Sequence, residues 1–83
     1  MRITRALVAE KLNAYLHHSL SVSELVSWAE DSVMEGDFDS STSRDVTARI
    51  GLADVREFGL SWEDCEQMFV RLGYTVHVEV AAA

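Results

Sequence analysis

Apolar residues recur at helical spacing along most of this chain, and near its end the period changes. Over residues 4–18, Ala6, Leu7, Leu12, Tyr15 and Leu16 lie near one stripe with Val8 beside it, which predicts a helix closed by His17, His18 and Ser19. Residues 1–3 fit either the start of that helix or a short strand. A second stripe, Val22, Leu25, Val26, Ala29 and Val33, predicts a helix from Val22 to about Glu35. Its start is written in Ser21-Val22-Ser23-Glu24, where Ser21 can accept from the N–H of residue 24 and Glu24 can answer the N–H of residue 21. Gly36 stands where a left-handed helix end is expected. Trp28 lies off the centre of the buried stripe.

Residues 36–43 read as a loop by composition, with Thr42 or Ser43 capping the next helix. Apolar positions beyond it split into two sectors, so two short helices are expected, about 43–50 and 53–58, jointed at Gly51. Ser61 with Asp64 marks another helix start, and Trp62, Cys65, Phe69 and Leu72 step along one face with Met68 beside them. Gly73 is placed to end that helix, with Tyr74 folding back on Phe69 or Val70. From residue 74 to 80 the chain alternates: Tyr74, Val76, Val78 and Val80 on one side, Thr75, His77 and Glu79 on the other.

These elements predict a mostly helical α+β domain over residues 1–80. Four to five short helices pack around Leu7, Leu16, Leu25, Val33, Ile50, Cys65, Phe69 and Leu72, and residues 81–83 form a flexible Ala tail. A strand at 74–80 cannot stand alone, because its backbone groups need partners. It must pair with the N-terminus, with its copy in a dimer, or with a strand of another protein.

Charge narrows the partners. Fourteen acidic residues face seven basic ones, for a net charge of -7. Nucleic acid and anionic membranes are disfavoured, and basic proteins favoured. A helix-turn-helix over Asp45–Asp64 fails on the same ground, since its second helix would hold Asp54 and Glu57 against Arg56 alone. The longest apolar runs are far short of the roughly 20 residues that span a bilayer. A single cysteine and the polar start Arg2-Ile3-Thr4-Arg5 point to a cytoplasmic protein.

Candidate chemistry is sparse. Asp37-x-Asp39-x-Ser41 has the spacing of a calcium loop's start, but Thr42 and Ala48 stand where its glycine and glutamate belong. Adjacent His17 and His18 would point about 100° apart on a helix and cannot grip one metal ion together. Cys65 shares a face with Trp62 and Phe69, which predicts an inert, buried thiol. No metal or other cofactor is therefore expected.

The pattern as a whole suggests a small acidic interaction or regulatory module without catalytic activity, self-associating through its last strand. Its partner-binding residues would be Trp28, Glu30, Asp31, Glu35, Asp37, Asp39, Thr75, His77 and Glu79. One alternative is an inhibitor or immunity-type protein whose acidic face blocks a basic nuclease or toxin. Another is a small enzyme using Cys65 or a histidine.

Overall fold

A computed structural model describes residues 2–54 and 59–75 of the chain. In order they form β1 (Arg2–Ile3), α1 (Arg5–Leu16), α2 (Val22–Glu35), β2 (Asp37–Phe38), α3 (Ser41–Ile50) and α4 (Trp62–Arg71). The protein is mostly helical, as its periodicity predicts.

Every described helix starts on a hydroxyl. Thr4 accepts from the Leu7 N–H at 3.1 Å, and Ser40 from Ser43 at 3.2 Å. Ser21 and Ser61 each form the full reciprocal box, with Glu24 and Asp64 returning the bond. Such a cap contributes about 1 kcal/mol by answering an N–H that the helix leaves unpaired.

Two helices end in the same double turn. After α4, Gly73 takes φ +92° and donates to Val70, while Tyr74 donates to the Phe69 carbonyl at 2.9 Å. After α1, His18 takes φ 61°, donating to Tyr15, and Ser19 donates to Ala14. A histidine thus does what glycine usually does, against a steric cost of about 1–2 kcal/mol.

The sheet corrects two expectations. Residues 2–3 are strand, but their partner is Asp37–Phe38, in parallel, with Arg2 opposite Asp37 and Ile3 opposite Phe38. The segment 36–43 is therefore not a loop throughout: two of its residues are strand, and α3 begins at Ser41 on the cap Ser40, earlier than Thr42 or Ser43. Several neighbouring hydroxyls could cap α3, and only the strand pairing upstream selects Ser40. Gly36 is extended, with φ -79° and ψ 152°, not left-handed. It is needed for space, since an added Cβ would strike the Ser32 carbonyl and stand 2.7 Å from Ile3 Cγ1.

The predicted strand at 74–80 is not supported. Tyr74 and Thr75 are not strand, and 76–80 lie outside the described residues, as does the tail 81–83. Pairing of that strand with the N-terminus or across a dimer is likewise unsupported, and β2 is the partner that β1 has. Residues 51–54 turn after α3, and 55–58, assigned to a short helix by pattern, lie outside the described residues.

The core gathers Ile3, Val8, Leu12, Leu25, Ala29, Val46, Ile50, Cys65, Met68 and Leu72. Leu25, Ile50, Cys65 and Leu72 lie there as predicted. Leu7, Leu16 and Phe69 are half-buried at its edge, and Val33 is exposed. In α1 the buried face is Val8, Ala9 and Leu12, because apolar residues occupy most sides of that helix and its pattern does not choose among them. Two hydroxyl residues are fully buried in α3, where Thr47 Oγ1 donates to the Ser43 carbonyl at 2.7 Å. The bond keeps the Thr47 hydroxyl from being stranded in the core.

Candidate functional site: an acidic helix face and an apolar groove

The side chains of α2 divide sharply. Leu25, Val26, Ala29 and Ser32 face the core. Glu24, Ser27, Glu30, Asp31, Met34 and Glu35 face outward, and Met34 is 83% exposed. At 100° per residue, Glu24, Asp31 and Glu35 fall nearly on one line, with Glu30 and Met34 on its flank. None of these four carboxylates has an ion-pair partner among the described residues.

The other two predicted acids serve the fold. Asp37 faces Arg2 at 3.6 Å across the two-strand sheet. Asp39 accepts the Arg5 backbone N–H at 3.1 Å, capping the start of α1 from a distant part of the chain. The Ser43 hydroxyl, the Arg5 N–H, the Ser40 hydroxyl and the Arg2 charge hold its carboxyl below the usual range, against a smaller opposing effect of burial. The five acids of residues 30–39 are therefore not one patch: the uncompensated ones are those on α2.

Trp28 is half-buried against the core, and Lys11 of α1 lies over its ring, 5.8 Å from the centroid. Its indole N–H is buried without a hydrogen-bond partner among the described residues. The residue lines a hollow with Ile3, Asp31, Ser32, Glu35 and Gly36, so it borders the acidic stripe without projecting from it. Thr75 is exposed beyond α4, away from any strand. His77 and Glu79 lie outside the described residues.

Sequence pattern missed a second feature. Tyr15, Leu16, Leu20, Val22, Leu60 and Trp62 line a groove of about 520 Å³ where the α1–α2 turn meets the start of α4. Trp62 and Val22 sit on predicted buried stripes, yet they are 45% and 37% exposed. Each occupies the first position of its helix, where the stripe runs past the edge of the core. That terminal position is the signal that could have singled them out.

The reactive candidates are quiet. Cys65 is fully buried, and burial, then the Asp64 charge, pushes its thiol up despite nearby Arg49. A thiolate nucleophile needs the opposite shift. His17 and His18 are exposed at the end of α1. Among the described residues no group of three or more His, Cys, Asp or Glu side chains could hold a metal ion, and no helix is long and apolar enough to cross a membrane.

No protein-family model matches the chain, and no curated protein or solved structure matches it.

Proposed function

We propose that this chain is a small acidic binding or regulatory module that recognises a basic protein and does no chemistry on it. The observation that supports this reading is the outward side of α2, where Glu30, Asp31 and Glu35 flank exposed Met34, Glu24 continues the acidic line toward the helix start, and none of the four is in an ion pair among the described residues. Four carboxylates held on a rigid, capped helix attract a basic surface and orient it, and Met34 supplies a flexible apolar contact. An inhibitor or immunity-type protein that covers the basic site of a nuclease or toxin is one form of this function. The protein is read as cytoplasmic. Self-association through residues 74–80 has only the sequence alternation behind it.

The test compares the wild-type chain with a triple variant, Glu30→Lys, Asp31→Lys and Glu35→Lys, both immobilised and exposed to lysate of the source cells. The expected result is a basic protein retained by the first and not the second. Its purified form should lose about tenfold in affinity between about 50 and 300 mM salt. Equal retention by both chains, or affinity indifferent to salt, would rule the proposal out.

A further inference from the structure

We infer that the groove beside the start of α4 seats an apolar side chain of that same basic partner, whose cations then run along the carboxylates of α2; this rests on the proposed recognition of a basic protein by α2. The groove's volume, about 520 Å³, lies within the roughly 300–1,000 Å³ of built ligand pockets. His18, Ser19 and Tyr15 belong to its lining, and its two serines are already bonded. The Ser21 and Ser61 hydroxyls, which line it, accept from Glu24 and Asp64 N–H groups at 3.1 Å each. The Ser21 and Ser61 N–H groups are in turn taken by the Glu24 and Asp64 carboxylates. The carboxylates at both helix starts disfavour an anion, and the exposed Trp62 and Val22 favour an apolar occupant.

Charge selects what carries that side chain. No Lys or Arg lines the groove, and Glu24 lines it. Asp64, next to it, is paired with Arg49 at 3.8 Å, whereas Glu24, which also accepts the Ser21 N–H, has no ion-pair partner among the described residues. From Glu24 the line continues to Asp31 and Glu35, spanning about 16 Å at 1.5 Å per residue. The occupant that matches both features is a basic segment with a large apolar residue toward one end. A second copy of this acidic chain would bring carboxylate against carboxylate.

The test titrates the isotope-labelled chain with two synthetic 14-residue peptides of equal charge. One carries Lys with Leu at helical spacing; the other carries Gln in place of Leu. The Lys/Leu peptide should bind one to one, at least tenfold tighter than the Lys/Gln peptide, shifting amide resonances of 20–24 and 60–63. Val22→Lys and, independently, Trp62→Gln should each remove that tenfold advantage while leaving the spectrum of the free chain folded. Equal binding of both peptides, with shifts confined to 30–35, would overturn the groove assignment and leave the acidic-face proposal standing. Binding of neither peptide would remove both. Groove resonances that move with protein concentration alone would assign the groove to a second copy and overturn the inference.

Discussion

The Asp39 carboxylate receives the Arg5 backbone N–H at 3.1 Å, joining positions 34 residues apart. The bond closes the N-terminal end of α1 onto the segment between β2 and α3, beside the Asp39 N–H bond to the Ile3 carbonyl at 3.0 Å. Because the folded carboxyl lies below its ordinary value of 3.8, the charged form is favoured in the folded state. Its contribution is therefore fully present above the unfolded value and is lost as pH falls through the folded one. Thermal midpoints measured from pH 6 to pH 2 should fall more steeply for wild type than for Asp39→Asn. Parallel slopes would mean that the bond does not stabilise the fold.

His18 and Gly73 hold equivalent positions, each the left-handed residue just past a helix. Replacing His18 with glycine should raise stability by about 0.5–1 kcal/mol, and Gly73→Ala should lower it by about 1–2 kcal/mol. Urea unfolding of both variants reads the two signs. A destabilised His18→Gly chain would show that the imidazole makes a contact worth more than the strain it imposes.

Gly36 is constrained for a different reason. Its backbone angles suit any residue, but a methyl group there would collide with the Ser32 carbonyl and Ile3. Gly36→Ala should cost about 1–3 kcal/mol by separating β1 from the end of α2. Gly59→Ala, with no described residue within 4 Å of the added carbon, should cost far less. Similar midpoints for the two in chemical denaturation would contradict the close approach.

The sidedness of α1 can be tested directly. Leu12 is fully buried and Leu7 half-buried. Leu12→Ala should cost about 3 kcal/mol and Leu7→Ala less than half of that. The reverse order would restore the stripe that spacing alone predicts.

Cys65 should react with a thiol reagent far more slowly in the native protein than in denaturant, because both access and thiolate formation are suppressed. Labelling at the denatured rate under native conditions would revive the enzyme alternative.

Local signals carried the helix starts. The Ser21/Glu24 and Ser61/Asp64 pairs act over three residues, so their partners are in the sequence itself: the first forms the predicted box, and Asp64, expected as a first-turn charge, also returns a bond to its cap. Gly73 ends α4 for the same reason: its left-handed turn and the Tyr74 bond need only the preceding turn of helix. The mostly helical character and the outward acids of α2 result from a 3.6-residue period applied to a strongly two-sided segment. What tertiary structure alone decided is which of several locally equal options is used. Ser40 caps α3, β1 takes β2 as partner, and Val8 with Leu12 rather than Leu7 enters the core, because backbone pairing and close packing are settled between segments distant in sequence. The groove at Trp62 and Val22 belongs to the same class, since a residue at the first position of a helix is covered or left open by whatever chain segment comes to lie beside it.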